Sequence, residues 1–453
     1  MLAARLGAFA AEVSAERIPA PVRHAAKLRI LDTLGAGLAG VELGNHRLLE
    51  PLLESSGGAC IWGEGEGWTR SPREAALVNS FATHSTYLED GSRYTGGHPS
   101  AVVIPAVLAL AQARRSSGSE ILAATLAGYE VFLRLGRAIY PACVRQGFQS
   151  TALLGAVASA AATARLLRLP APAAGHAVAI GCNLGSGFKE ALRTPQTQPI
   201  QVARSCEGGM VAALLAQGGH PGAPLAIENG FLPAFGGGTG KEDRVTITAG
   251  LGEDWLLPET YFKRHAGCRG NHAPVDAALD LTQAERLTAA DLAAVRVGVD
   301  TVTRAAAIEP PVDGKQAQMS IGFSVALAVL KGRASVYDYR DDVLHDPQMR
   351  DLMARIQVVA DPQLDVAYPQ RRGAWVEVVL RSGKELRSST PNARGEPECP
   401  LTEQEVREKF RTLAAPRLGA RTQAVEDAVM NLENTDGEAL ADLLKQGKRT
   451  CSQ

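Results

Sequence analysis

The first half of the chain is dominated by apolar and small residues at helical spacing. Leu28, Leu31, Leu34 and Leu38 recur every three to four residues in the segment after Pro21, which is typical of one buried face of an α-helix. Five more segments have helical length and composition: 101–113, 120–135, 150–167, 171–184 and 202–217. The pattern predicts a large all-helical domain over residues 1–264.

The pattern changes near residue 265. Segments 295–299 and 375–380 alternate at period two, which predicts β-strands, and Ser382-Gly383-Lys384 predicts a turn into a partner strand near Leu386. Two helices are predicted between the strands, an apolar one at 322–330 and a polar one at 346–355. These elements predict a smaller α+β domain over residues 265–392.

The C-terminal part, residues 393–453, is predicted to be helical. It follows a segment at 391–397 that is typical of a linker, and Thr402-Glu-Gln-Glu405 has the spacing of a helix capping box. Two more helices are predicted at 423–432 and 438–445. Because these helices carry little apolar surface, we expect them to pack back on the helical domain.

Composition and charge narrow the class of protein. With 45% apolar residues among 453, the chain can bury a large core, and 47 Lys and Arg against 48 Asp and Glu give a net charge of −1. With positive and negative charges this evenly balanced, the chain has no strong electrostatic field that would attract nucleic acid or an anionic membrane. The longest apolar run, 101–111, is too short to span a bilayer, and the N-terminus lacks the pattern of a signal peptide. A cytoplasmic protein is expected.

Cysteine spacing and glycine-rich segments give no support to a metal or a nucleotide cofactor. The seven cysteines are scattered, without a C-x-x-C pair, which suits reduced thiols rather than a zinc site. The glycine-rich segment at 181–187 lacks the preceding strand of a dinucleotide fingerprint. The sequence therefore predicts neither a metal site nor a cofactor.

Two segments concentrate side chains that transfer protons. One runs from His84 to His98 and contains Glu89 and Asp90; the other runs from residue 261 to His272, at the predicted domain junction. Composition alone leaves open whether these are two solvated polar loops or parts of one active site. Clustered histidines at a domain boundary favour the active site, because pockets form preferentially at such junctions.

Motifs spread along nearly the whole chain then carry a resemblance. They are Leu31-Asp-Thr-Leu-Gly-Ala-Gly37, Leu88-Glu-Asp-Gly91, Gly97-His-Pro-Ser100, Gly128-Tyr-Glu-Val131, Gly147-Phe-Gln-Ser-Thr151, the segment from Lys263 through Cys268 and His272 to Asp276, and Gln318-Met-Ser-Ile-Gly-Phe323. In this order they resemble the MmgE/PrpD family, which includes 2-methylcitrate dehydratase, cis-aconitate decarboxylase and iminodisuccinate epimerase.

The resemblance implies a helical domain with a lid domain, a homodimer, and an active site between the domains that needs no cofactor and moves a proton next to a carboxylate. It implies an acid/base pair of His98 and His272, with Asp90 orienting one of them. Histidine suits this role because its ordinary pKa is near neutrality. The residues expected to bind a small carboxylate substrate are Arg93, Tyr94, Gln149, Gln198, Arg204, Lys263 and Arg269.

Three positions depart from the family pattern. Gln149 replaces a histidine, Gln198 replaces a lysine and Phe323 replaces a tyrosine, so the substrate is expected to differ from those of the tricarboxylate-acting members. The first hypothesis is a lyase that dehydrates a small hydroxy di- or tricarboxylic acid. The alternatives are an epimerase or isomerase of a dicarboxylate, a cis-aconitate-type decarboxylase, and a homologue that binds without catalysis.

Overall fold

The computed structural model describes residues 1–238 and 243–445, so the end of the predicted C-terminal segment, 446–453, lies outside the described residues. The fold is 61% helical, with a small four-stranded sheet in the C-terminal half. This confirms the predicted two-domain, mainly α architecture with a smaller α+β domain.

The N-terminal body consists of helices whose small and apolar residues are buried together. All six helices predicted for this region are confirmed, with ends that differ by a few residues. The helices of the body are α1 (Leu2–Glu12), α2 (Ala20–Glu42), α3 (Pro72–His84), α4 (Ser100–Arg114), α5 (Gly118–Ile139), α6 (Ala142–Arg145), α7 (Ser150–Leu166), α8 (Ala171–Gly181), α9 (Gln198–Gln217), α10 (Leu232–Phe235) and α11 (Asp243–Thr248).

Helix α7 lies at the centre of this body. It is buried along almost its whole length and packs against α4, α5, α8 and α9. Small residues let the helices approach closely: a Cβ atom on Gly209 of α9 would lie 2.4 Å from the Cβ of Ser159 and 2.6 Å from the carbonyl oxygen of Ala156. This packing fixes the N-terminal ends of α7 and α9, which reach the functional site.

The α+β domain is built on a mixed sheet of strand order β2-β1-β3-β4. Strand β1 pairs in parallel with β2 and antiparallel with β3, and β3 pairs antiparallel with β4. Its elements are α12 (His272–Ala284), β1 (Leu292–Val299), α13 (Thr301–Ala306), α14 (Gly314–Ala317), α15 (Ile321–Lys331), α16 (Asp341–Leu344), α17 (Pro347–Met353), β2 (Ile356–Ala360), α18 (Pro362–Asp365), β3 (Ala374–Leu380) and β4 (Glu385–Thr390). The predicted strands, hairpin turn and helices are confirmed; β2, α12 and the short helices α13, α14, α16 and α18 are additional.

The C-terminal helices are α19 (Glu403–Leu418), α20 (Thr422–Met430) and α21 (Gly437–Leu444). The predicted capping box begins α19, where the Thr402 side chain accepts a hydrogen bond from the Glu405 amide. Helix α19 lies along α2 of the body: Lys409 Nζ donates to Asp32 Oδ1 over 2.6 Å and to the Leu88 carbonyl over 2.8 Å. Helix α21 packs on α4. No helix in the described ranges is long and apolar enough to cross a bilayer.

Candidate active site

The two polar segments singled out in the sequence meet in the fold. The loop between α3 and α4 pairs with the segment before α12, as the Gly91 amide donates to the Tyr261 carbonyl over 3.1 Å and the Tyr261 amide donates back over 2.8 Å. A Cβ on Gly91 would lie 2.4 Å from Tyr261 Oη, so a glycine is required for this contact. The contact brings the His98 loop next to Lys263.

A cavity of about 170 Å³ lies at this junction. Such a volume is below the roughly 300–1,000 Å³ of sites for drug-sized ligands and suits a small organic molecule. Its wall combines the body, the α+β domain and the segment before α19. The charged residues and the histidine on this wall are Arg93, His98, Lys189, Lys263, Arg269, Arg372 and Glu396.

His98 is held with a defined proton position. Its Nδ1 lies 2.6 Å from the Asp90 carbonyl oxygen. Because a carbonyl only accepts hydrogen bonds, Nδ1 carries the proton and Nε2 keeps its lone pair. Burial, and then the positive charge of Lys263, lower the pKa of His98 to about 3. The imidazole is therefore neutral near pH 7 and can accept a proton at Nε2.

Asp90 supports His98 through its backbone rather than its carboxylate. The carboxylate accepts hydrogen bonds from the Ser100 amide (3.2 Å) and from Tyr129 Oη (2.9 Å), so it caps the beginning of α4. Asp90 is fully buried and is not among the residues of the cavity wall, and burial raises its pKa to about 6. Asp90 thus contacts His98 through its carbonyl oxygen, while its carboxylate holds the beginning of α4.

A second buried histidine lies behind His98. His84 Nδ1 is 2.5 Å from Glu89 Oε1, and the rings of His84 and His98 are 5.4 Å apart. Glu89 Oε1 also lies 3.8 Å from His98 Nδ1. Burial alone would raise the pKa of Glu89, but Lys263 and His84 outweigh it and hold that pKa well below its usual range. Sequence reasoning included this pair in the polar segment without selecting it.

The cavity wall carries several groups that can bind carboxylates. Lys263 is buried and donates to the Tyr87 carbonyl over 3.0 Å, and burial lowers its pKa. Arg269 pairs with Glu396, and its guanidinium lies 5.1 Å from the centre of the Tyr261 ring. Arg93 donates to Glu398 Oε2 over 2.9 Å. Three predicted binding residues therefore lie on one cavity.

Two helices begin at the cavity and present glutamines there. Gln149 precedes α7 and accepts a hydrogen bond from the Ala152 amide over 2.6 Å, which leaves its side-chain nitrogen as a donor. Gln198 is the first residue of α9, and its Oε1 is buried without a hydrogen-bond partner in the described structure. The positive ends of both helix dipoles favour an anion in the cavity.

Three predicted residues lie elsewhere. Arg204 is on the outer surface, where its side chain is 62% exposed and pairs with Glu207. Tyr94 lines an opening next to the cavity, between the guanidinium groups of Arg93 and Arg137. His272 is buried outside the cavity wall with its ring 5.7 Å from that of His265, and burial, then Arg269, lowers its pKa well below the usual value.

Some cavity residues were missed because they lie in loops without periodic patterns. Arg372 precedes β3; its guanidinium lies 5.1 Å from the Tyr368 ring, and it has no carboxylate partner within the described part of the chain. Glu396 lies in the segment that the sequence identified only as a linker. Within residues 1–238 and 243–445, no group of three or more His, Cys, Asp or Glu side chains is arranged to hold a metal ion.

Comparison with known proteins assigns the family. A model of the MmgE/PrpD N-terminal domain matches residues 4–243, and one of the MmgE/PrpD C-terminal domain matches residues 265–434. The chain belongs to the MmgE/PrpD family. The resemblance found in the sequence is confirmed.

Curated relatives match this MmgE/PrpD chain over most of its length. The cis-aconitate decarboxylase of Aspergillus terreus is 27% identical and covers 96% of this chain and 94% of its own length. The human cis-aconitate decarboxylase is 27% identical, and the match covers 92% of this chain and 89% of the human protein. The mouse cis-aconitate decarboxylase is 26% identical, and the match covers 92% of this chain and 88% of the mouse protein. The names of these relatives support the prediction that the chain is an enzyme.

Proposed function

We propose that this MmgE/PrpD protein is a lyase acting on a small di- or tricarboxylic acid, with proton transfer between His98 Nε2 and a carbon next to a carboxylate. The observation that carries the proposal is the neutral His98 imidazole, whose proton is fixed on Nδ1 by the Asp90 carbonyl. A positioned imidazole contributes roughly 10²–10⁴-fold to a proton transfer. The proposed steps use side chains of this chain and need no added cofactor.

The charges of the cavity support a carboxylate substrate. Among the described residues, five cationic side chains lie on its wall, against the single carboxylate of Glu396. Cations held in a buried site bind substrate carboxylates and stabilise negative charge as it develops on carbon. Lys263 lies beside both His98 and the proposed anion site, so it would serve both purposes.

Decarboxylation is the first candidate for the overall reaction, because the relatives that match nearly the whole chain are named cis-aconitate decarboxylases. The bond from carbon to a carboxylate breaks, CO₂ leaves, and a proton is added to the carbon framework. His98 would have to be protonated first. A bound polyanion would raise its pKa, because nearby negative charge favours the imidazolium.

Dehydration is the second candidate, and the His98 tautomer favours it. A neutral Nε2 is ready to take a proton from carbon next to a carboxylate; the imidazolium then gives a proton to the hydroxyl group on the adjacent carbon, which leaves as water while the double bond forms. Epimerisation would need the same first step followed by reprotonation on the opposite face. Gln149 and Gln198, in place of a histidine and a lysine, suit a substrate that differs from cis-aconitate.

Proton NMR in D₂O tests the reaction class with a panel of di- and tricarboxylates. Loss of one carboxylate with deuterium on the product carbon would establish a decarboxylase. New vinyl signals without loss of a carboxylate would establish a dehydratase, and deuterium in an unchanged skeleton would establish an epimerase. Unchanged spectra in the presence of measurable binding would support a homologue without catalysis.

The role of His98 is tested by His98→Asn. We expect kcat to fall by roughly 10²–10⁴-fold, because the proton acceptor is lost, while circular dichroism stays unchanged. His220→Asn, at an exposed histidine outside the cavity, is the matched control and should keep full activity. His272→Asn tests the other member of the expected pair; full activity there would exclude His272 from the acid/base chemistry.

A homodimer and a cytoplasmic location are further parts of the proposal, and both rest on the family resemblance and composition. Light scattering after size-exclusion chromatography tests the dimer. A mass near twice 47.7 kDa is expected, and a mass near 47.7 kDa would contradict it.

A further inference from the structure

Glu396 places a carboxylate inside a cavity that is otherwise cationic. The residue is 2% exposed and lies on the cavity wall. Its carboxylate pairs with Arg269 through Oε1, and Oε2 lies 3.5 Å from Arg93 Nη1. Oε2 is buried and has no hydrogen-bond partner among the described residues. This carboxylate oxygen therefore keeps an unused capacity to accept a hydrogen bond at the cavity wall.

The backbone holds Glu396 in this position. The Glu396 amide donates to the Ala393 carbonyl over 3.2 Å, and the Cys399 amide donates to the Glu396 carbonyl over 2.9 Å. The preceding Gly395 accepts from the Phe262 amide over 3.0 Å, and a Cβ at Gly395 would lie 2.2 Å from the Phe262 carbonyl oxygen. The loop is thus fixed against the segment that carries Lys263, so Glu396 is a built part of the wall.

The ion pairs of Glu396 change how many cationic side chains of the cavity can bind a substrate carboxylate. Arg269 and Arg93 are both in contact with Glu396, and Arg93 is also paired with Glu398. Lys189, Lys263 and Arg372 also lie on the wall and have no ion pair within 4 Å in the described structure. A substrate carboxylate placed beside Glu396 Oε2 would meet a like charge, whereas a hydroxyl group there would donate a hydrogen bond to it.

We propose that Glu396 is a specificity-determining residue that selects a dicarboxylate with a hydrogen-bond donor, such as a hydroxyl group, and rejects a third carboxylate at that position. The inference rests on the proposed function, because it takes the cavity to be the carboxylate site. It is consistent with the glutamines at 149 and 198, which supply amides rather than additional positive charge.

Three acids that differ only at the central carbon test the proposal: glutarate, 3-hydroxyglutarate and tricarballylate. Isothermal titration of the wild-type protein should give the tightest binding for 3-hydroxyglutarate, about fivefold or more tighter than glutarate because a hydrogen bond to a charged acceptor is gained. Tricarballylate should bind at least about tenfold more weakly than glutarate, because like charges are brought together.

Glu396→Gln should remove the discrimination against tricarballylate and shift the affinity ratio of tricarballylate to glutarate by about tenfold or more. Glu398→Gln is the matched control. It removes a glutamate that pairs with the same Arg93 but whose side chain is 41% exposed and absent from the cavity wall, so the ratio should stay within about twofold.

The outcomes separate this proposal from the proposed function. If tricarballylate and glutarate both bind and the ratio of their affinities is unchanged in Glu396→Gln, the proposed role of Glu396 is wrong, while the carboxylate site remains supported. If Glu396→Gln weakens all three acids equally, Glu396 positions the arginines and does not select. If none of the acids binds, both proposals fail. If the variant does not fold, the order of the three wild-type affinities decides.

Discussion

At the scale of single residues, a backbone carbonyl sets the chemistry of His98. The Asp90 carbonyl fixes the proton on Nδ1, while the Asp90 carboxylate caps α4. Asp90 therefore orients the His98 imidazole through its main chain and holds the beginning of α4 through its side chain. The motif predicts that Asp90 and His98 are neighbours, but which oxygen of Asp90 faces the ring depends on the loop conformation.

Lys263→Met should raise the pKa of His98. Burial is the largest cause of its low value of about 3, and the positive charge of Lys263 is the next. Removing that charge also leaves Glu89 to favour the imidazolium, so both changes act in the same direction. His98 should remain neutral at pH 7, and its protonation should begin at higher pH than in the wild type. NMR titration of the His98 Cε1 proton measures this.

The control is Lys189→Met, which removes another cation of the cavity wall that is not among the main causes of the lowered pKa of His98. Its titration should match that of the wild type. An unchanged His98 titration in Lys263→Met would contradict the assigned electrostatic coupling.

At the scale of secondary-structure elements, the close packing of α7 and α9 positions part of the site. Gly209 lies where a Cβ would approach Ser159 and the backbone of Ala156, and α9 begins at Gln198 on the cavity wall. The spacing of α9 from α7 thus determines where Gln198 lies. A substitution roughly three helical turns away from the cavity can change the site through this contact.

Gly209→Ala should destabilise the protein by about 1–3 kcal/mol, because the added methyl group collides with backbone that cannot move freely. Gly208→Ala is the matched control in the same helix. Its Cβ would lie 3.3 Å from the Leu184 Cβ, and the higher helix propensity of Ala offsets this by about 1 kcal/mol. Urea denaturation measures both. Equal stability of the two variants would contradict the close packing of α7 and α9.

The elements that sequence patterns predict are those with clear periodicity and end signals. Helix α5 begins at a capping box formed by Ser117 and Glu120, and β3 alternates buried and less buried residues from Val376 to Val379. Strand β2 is an edge strand whose residues are partly buried or exposed and none fully buried, so its alternation is weak. Helix α12 has Pro274 in its first turn and begins within the polar segment, so the sequence pattern does not mark its beginning.

At the scale of the whole molecule, no single region forms the cavity. His98 and Gln149 come from the body, Arg269 and Arg372 from the α+β domain, and Glu396 from the segment before α19. Sequence reasoning located the junction because histidines cluster there. It could not find Arg372 or Glu396, since their place in the wall depends on how loops far apart in sequence come together.

Lys409→Met should destabilise the protein by about 3–5 kcal/mol, because it leaves the buried Asp32 carboxylate without its cation. The Asp32 side chain is fully buried, and Lys409 also holds the loop before His98 through the Leu88 carbonyl. Thermal or urea unfolding measures the change. The control is Lys384→Met, whose exposed pair with Glu285 should contribute less than about 1 kcal/mol. Similar losses in both variants would contradict the importance of this contact between α19 and α2.

The packing of α19 on α2 has a consequence for folding during synthesis on the ribosome. Asp32 and Lys409 are 377 residues apart, and a Cβ on Gly35 of α2 would lie 3.4 Å from the Cα of Phe410. At roughly 5–20 residues per second, a ribosome needs about 20–75 s to add the chain between them. During that interval an apolar strip of α2 has left the ribosome without its cover. We therefore expect this strip of α2 to stay uncovered by α19 until translation is nearly complete.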